Sequence, residues 1–188
     1  MTAVALVGLP GSGKSAVGRR LGQRLDVPFV DSDQMIEQRI GCTIREFFER
    51  EGEARFRDLE EQVITELGQA AAGVVATGGG SVLRPSNRQR LHQHFHVIYL
   101  QSAPEDLYRR LRHDVKRPLL QVADPLGRLR ELHAARDPLY RETAHMTMET
   151  GKPSVGALVQ AIVVELERAG IAVASPRPAG NGDPHRMA

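Results

Sequence analysis

The stretch Ala3-Val-Ala-Leu-Val-Gly-Leu-Pro-Gly-Ser-Gly-Lys-Ser15 decides how the rest of the chain is read. Its opening residues form a continuous apolar run, too short to span a membrane and suited to a strand covered on both faces. Gly8 to Ser15 then match G-x-x-x-x-G-K-[ST], and Val17, Leu21 and Leu25 follow at the spacing of an amphipathic helix. Strand, glycine-rich loop and helix in that order make a nest for polyphosphate, because glycines let backbone N–H groups and the helix N-terminus point at the anion. Gly11, Ser12, Gly13, Lys14, Ser15 and Ala16 are expected to hold the phosphates of a nucleotide. Lys14 supplies a compact ammonium to the β- and γ-phosphates, and the Ser15 hydroxyl is a ligand for Mg2+. The lysine stands out: only Lys14, Lys116 and Lys152 are lysines, and every other one of the 25 Lys and Arg residues is arginine.

Working outward, strand-length apolar runs recur at Val4–Val7, Val27–Val30, Val74–Ala76, Val97–Leu100 and, less clearly, His145–Met148, with helix-length segments between them. The pattern predicts an α/β fold of three layers, α/β/α, around a central five-stranded parallel sheet. Helix faces are read from Leu107 with Leu111 and from Leu158, Ile162 and Leu166. Ser102-Ala-Pro-Glu105 has the spacing of a capping box, so a helix is expected to start there. Two segments break the alternation. Asp31 to Gly73 is too long for one crossover helix and carries Phe47, Phe48 and Phe56, which predicts a helical insertion at about 32–62. Residues 112–124, containing Lys116-Arg-Pro-Leu-Leu120, read as a mobile lid. The organisation is one domain over 1–170, with a proline- and glycine-rich tail at 174–188 expected to be disordered.

Composition narrows the function. The 188 residues are 41% hydrophobic and 26% charged, with 25 basic against 23 acidic residues and a net charge of +2. Such a balance argues against a nucleic-acid coat, which concentrates positive charge. A single cysteine, Cys42, excludes an internal disulfide and points to a reducing cytoplasm. No transmembrane segment is read, and no large apolar stripe speaks for an oligomer, so a monomer is expected. An Asn-Lys-x-Asp guanine-reading motif is lacking, which leaves the small-molecule kinases as the favoured nucleotide-binding class.

The second strand runs into Asp31-Ser-Asp33. It is expected to neighbour the loop-bearing strand, with both carboxylates leaning to one side at the edge where ligands bind in open α/β sheets. Either aspartate alone could be a helix cap. The third strand runs into Thr77-Gly-Gly-Gly-Ser81, and three consecutive glycines suit backbone that must approach a ligand closely. Arg57 and Arg136, read alone, are ordinary solvated arginines.

In order and at compatible spacing, Gly8–Ser15, Asp31-Ser-Asp33, Gly52-Glu53 through Phe56-Arg57, Gly78-Gly-Gly80, Arg117-Pro-Leu-Leu120 and Arg136-x-Pro-Leu-Tyr140 resemble the shikimate kinases, over essentially the whole chain to about residue 170. The resemblance implies a P-loop fold of the nucleoside monophosphate kinase-like type and ATP-dependent phosphorylation of the shikimate 3-hydroxyl. It implies that Arg57, Arg136, Gly79 and Gly80 bind the acceptor and that Asp33 orients the hydroxyls and takes the proton. Lys14 and Arg117 then flank the transferring phosphoryl, with Arg117 delivered by the lid, and Asp31 holds Mg2+ through water. Arg110 lies against adenine, opposite the Thr150–Pro153 loop, with Arg109 as its near-equivalent neighbour. Two departures accompany the match: Thr77 stands where many P-loop proteins carry an aspartate, and the loop at Gly151-Lys-Pro153 is short and lacks an arginine.

Overall fold

The computed structural model describes residues 2–70, 72–113, 121–151 and 154–173. Five parallel strands form one sheet: β1 (Ala3–Val7), β2 (Phe29–Asp31), β3 (Val74–Ala76), β4 (Phe95–Gln101) and β5 (Met146–Glu149), in the order β2-β3-β1-β4-β5. β1 is central and wholly buried, with Val4 beside Val74 of β3 and Ala5 beside Val97 of β4. The strand order reverses at β1, so the loop at its carboxyl end opens at the topological switch point of the sheet.

Eight helices complete the described structure: α1 (Lys14–Leu25), α2 (Ser32–Ile40), α3 (Ile44–Glu51), α4 (Glu53–Ala70), α5 (Pro85–His94), α6 (Pro104–Leu111), α7 (Pro125–Thr143) and α8 (Val155–Arg168). One face of the sheet packs through Ala5, Val7 and Val97 against Leu107, Leu129 and Tyr140. The other packs through Val4, Leu6 and Ile98 against Val17 and Leu21 of α1 and Leu158 and Ile162 of α8. These are the expected helix faces. Gly18 lets α1 lie close to the sheet, since a Cβ there would meet the Phe29 ring at 2.5 Å. A third cluster, Ile36, Phe47, Phe56 and Val63, belongs to α2, α3 and α4 alone. Among the described residues, no helix is long and apolar enough to cross a membrane.

Three details differ from the sequence reading. β2 does not neighbour the loop-bearing strand: β3 lies between them, paired with β2 through Val30 and Val75. β2 also starts later, at Phe29, because the Val27 N–H closes the end of α1 on Gly22 O and Pro28 has no N–H to donate. And Ser102 does not cap α6. Pro104 opens that helix with Ala103 at the cap and no side-chain capping bond, while the Ser102 hydroxyl meets Thr150 Oγ1 at 2.5 Å. The helical stretch expected at 32–62 holds α2, α3 and the first turns of α4, which continues unbroken to Ala70. Most of the segment read as a lid, and the tail at 174–188, fall outside the described residues.

Candidate active site

The loop from Gly8 to Ser15 links the end of β1 to α1. Gly11 and Gly13 have φ of 82° and 89°, a left-handed conformation that glycine adopts without a Cβ clash. Lys14, the first residue of α1, is buried, and its Nζ donates to Gly8 O at 2.8 Å and Leu9 O at 2.9 Å. The ammonium thus lies inside the curl of its own loop. Ser12 Oγ is buried there without a hydrogen-bond partner, an arrangement suited to an incoming oxyanion.

Asp31, the last residue of β2, serves two neighbours. Oδ1 accepts from Asp33 N at 3.0 Å and Gln34 N at 3.2 Å, capping α2, while Oδ2 accepts from the Ser15 hydroxyl. The cap reading and the site reading of Asp31 are therefore both met by one carboxylate. Asp33 does not share a strand face with it: the strand stops at Asp31, and Asp33 sits in the first turn of α2. The pair converges because the chain changes from strand to helix between them.

Ser15 and Asp31 bring one hydroxyl and one carboxylate into contact, a donor set whose chemistry fits Mg2+. Among the described residues, no group of three His, Cys, Asp or Glu side chains could hold a metal alone. Thr77 plays no part in it, because its hydroxyl donates to Leu6 O and accepts from Ser81.

Beside the loop lies a cleft of about 420 Å³, lined by Pro10, Asp33, Phe48, Arg57, Glu60, Gly78, Gly79, Gly80, Arg128, Leu132 and Arg136 among others. α2 contributes Asp33, α4 contributes Arg57 and Glu60, and α7 contributes Arg128, Leu132 and Arg136 at four-residue intervals along one face. Arg57 Nη1 donates to Glu60 Oε1 at 2.8 Å, and its guanidinium lies 5.1 Å from the Phe56 ring centroid. Burial pushes Glu60 up, against the pull of Arg57. Burial, joined by the Glu60 and Asp31 carboxylates, pushes Asp33 up to about 6, against Lys14. Asp33 Oδ1 and Glu60 Oε2 are buried without hydrogen-bond partners.

The three glycines are needed for close packing of these side chains. A Cβ on Gly78 would stand 2.6 Å from Asp33 Oδ1, on Gly79 2.7 Å from Pro10, and on Gly80 2.4 Å from the Arg57 guanidinium. On the far side of the loop, Arg110 donates to Thr150 O at 3.3 Å and Thr150 Oγ1 at 3.1 Å, while Arg109 points outward to Asp106. Arg110 is thus the arginine that faces the Thr150 loop. Arg117, Lys152 and Pro153 lie outside the described residues.

Glu60 and Tyr140 were not assigned a role from sequence. Glu60 is one of several glutamates on α4, and only its spacing three residues after Arg57 hints at a partnership. Tyr140 ends the Arg136-x-Pro-Leu-Tyr motif, and its hydroxyl donates to Gly79 O at 2.6 Å.

A family model described as shikimate kinase matches residues 10–167. The chain belongs to the shikimate kinase family. The shikimate kinase of Paracidovorax citrulli is 60% identical over 177 residues, covering 92% of this chain and 96% of that protein. That of Ralstonia nicotianae is 56% identical over 170 residues, covering 90% of each. Among solved structures, a shikimate kinase from Acinetobacter baumannii in complex with shikimate superposes with a TM-score of 0.85 at 43% identity, over 90% of this chain and 94% of that one. A gluconokinase from Sinorhizobium meliloti, 16% identical with a TM-score of 0.54, shares the fold alone. As a shikimate kinase by family, the chain is an enzyme of the phosphotransferase class, on the expected P-loop kinase fold.

Proposed function

We propose that this chain transfers the γ-phosphoryl group of ATP to the 3-hydroxyl of shikimate, giving shikimate 3-phosphate and ADP, a step of chorismate and aromatic amino acid synthesis. The observation that carries the proposal is the convergence of Asp33, Arg57 and Arg136 in one cleft beside Lys14. A ring bearing one carboxylate and three hydroxyls suits that set. Two guanidiniums bind a carboxylate in planar, charge-assisted fashion, the Gly79 and Gly80 amides add donors, and Asp33 accepts from a hydroxyl. The Acinetobacter baumannii relative, solved with shikimate, supports the same acceptor.

In the reaction the 3-oxygen of the acceptor forms a bond to the γ-phosphorus as the bond to the departing ADP oxygen breaks, and the hydroxyl proton passes to Asp33. Because the transition state of phosphoryl transfer is loose, alignment contributes more than base strength, so Asp33 acts first as a positioning acceptor. Its raised pKa, about 6, still leaves it ionised at neutral pH and makes it a better proton acceptor than a solvated carboxylate. Lys14 neutralises charge on the β- and γ-phosphates, and Arg117 does so from the lid. Mg2+, held by Ser15 and, through water, by Asp31, would supply charge neutralisation on the phosphate oxygens. Arg110 and the Thr150 loop receive the adenine. The enzyme is read as a cytoplasmic monomer acting on small molecules, with neither a nucleic-acid nor a membrane partner, in keeping with its near-balanced charge and single cysteine.

The test is ADP release from Mg-ATP by the purified protein with shikimate, gluconate, a nucleoside monophosphate or no acceptor. Stimulation by shikimate alone is expected. Stimulation by another acceptor and not by shikimate would overturn the reading.

A further inference from the structure

Tyr140 is fully buried, and its ring packs against Tyr99 with centroids 5.0 Å apart. Packing accounts for the ring. It does not account for where the hydroxyl goes. One turn further along α7, Thr143 satisfies its buried hydroxyl on its own helix, at Leu139 O. Tyr140 instead reaches out of the helix to Gly79 O, 2.6 Å away, a carbonyl in the wall of the acceptor cleft. Burial pushes the phenol up to about 12, so it stays a donor at any working pH.

Gly79 O belongs to the peptide that joins Gly79 to Gly80. With a glycine on each side, that peptide plane has little orientation of its own, because neither residue has a Cβ to restrict it. Among the described residues no peptide is cis, so the carbonyl and the N–H of this unit point in opposite directions. Fixing the carbonyl on the buried phenol therefore turns the Gly80 N–H away from the core. Among the described residues, neither the Gly79 nor the Gly80 N–H donates to any protein acceptor, whereas Gly78 N bonds Ser32 and Ser81 N bonds Gly78 O. Two amides without a protein acceptor, beside one clamped carbonyl, are donors of the kind that bind an anion. Arg136, one turn before Tyr140 on the same face of α7, lines the same cleft and also hydrogen-bonds the Tyr140 hydroxyl.

We infer that Tyr140 is a positioning residue for the acceptor, its hydroxyl locking the Gly79–Gly80 peptide with the Gly80 N–H presented to the substrate and tying that amide to the helix that carries Arg136. The inference rests on the proposed acceptor site. It adds a residue that touches no substrate and acts through the Gly79–Gly80 peptide, with Arg136 also bonded to its hydroxyl; the Gly79 and Gly80 resonances tell the two routes apart.

The experiment is Tyr140→Phe, which keeps the ring and removes the bond, with Thr143→Val as a control that removes a buried hydroxyl from the same helix. For Tyr140→Phe, KM for shikimate is expected to rise about tenfold, the effect of losing one well-placed hydrogen bond. The KM for ATP and kcat should stay within about threefold of the unaltered enzyme. Thr143→Val should leave all three within that range. In the ligand-free protein, Tyr140→Phe should also shift the Gly79 carbonyl ¹³C resonance and broaden the Gly80 amide as the peptide samples both orientations. An unchanged KM for shikimate, or equal losses toward both substrates, would overturn the inference. If the unaltered enzyme phosphorylates no shikimate, the functional reading fails, and unchanged Gly79 and Gly80 resonances in Tyr140→Phe would sink the clamp separately.

Discussion

Arg57 and Glu60 form an ion pair at 2.8 Å in which the carboxylate side chain is 1% exposed and the guanidinium 13%. One turn of α4 therefore places a cation in the proposed acceptor cleft together with the anion that holds it there. Breaking such a pair from one side strands the other charge.

Glu60→Ala should accordingly destabilise the ligand-free enzyme by about 3 kcal/mol in urea denaturation, the usual scale for orphaning a buried charge. The longer contact to Glu53, at 3.3 Å and largely exposed, cannot replace it. Saturating shikimate should restore part of the loss, since its carboxylate supplies the missing charge. An unchanged denaturation midpoint would show that Glu60 does not stabilise Arg57.

Asp33 gives opposite pH signs for stability and for catalysis. Its pKa rises from 3.8 to about 6 on folding, so the fold favours the protonated form. That stabilising contribution is fully present below about pH 3.8 and is lost as pH rises through about 6. Asp33→Asn mimics the neutral form. It should match the unaltered protein near pH 4 and exceed it at pH 8 by about 1 to 2 kcal/mol, after allowance for partial solvent screening. The proposed proton transfer needs the ionised form, so kcat/KM for shikimate should fall tenfold per pH unit below about pH 6. A flat profile down to pH 5 would contradict the role given to Asp33.

Gly80→Ala tests the sterics of the glycine run. The new methyl would stand 2.4 Å from both Nη atoms of Arg57, which must then leave its place beside Glu60. Shikimate affinity should fall at least about tenfold, as expected when one charge-assisted contact is displaced, while the Kd for ADP by calorimetry stays unchanged. Retention of shikimate affinity would mean that Arg57 can bind the acceptor from a second position.

The sheet, its parallel sense and the nucleotide loop were legible because they rest on local pattern: an apolar run, a glycine spacing, a helix face. Strand order was not. Nothing near Val30 announces that β3 inserts between β2 and β1, since that pairing joins residues more than forty positions apart. The same limit affected Ser102, whose hydroxyl finds Thr150 across the sheet edge rather than its own helix. Asp33, Arg57 and Arg136 were named through a set of motifs, but their meeting in one cleft depends on three helices from distant parts of the chain. Glu60 escaped notice because a glutamate's depth cannot be read from its neighbours: Glu61, next to it, reaches the surface to bind Arg84 and Arg90.

The hydrophobic cluster of α2, α3 and α4 gives one wall of the proposed acceptor cleft a core of its own, while α7 carries the opposite wall from the sheet layer. Ile36, Phe47, Phe56 and Val63 pack with one another, joined to one of the two layers that clasp the sheet through Leu67. Substitution within that cluster can therefore reshape the wall formed by α2 and α4, while the strand and loop proposed to grip the nucleotide keep their packing. On such a scaffold one arm of the proposed acceptor site can be exchanged while the other, on α7, is inherited with the sheet.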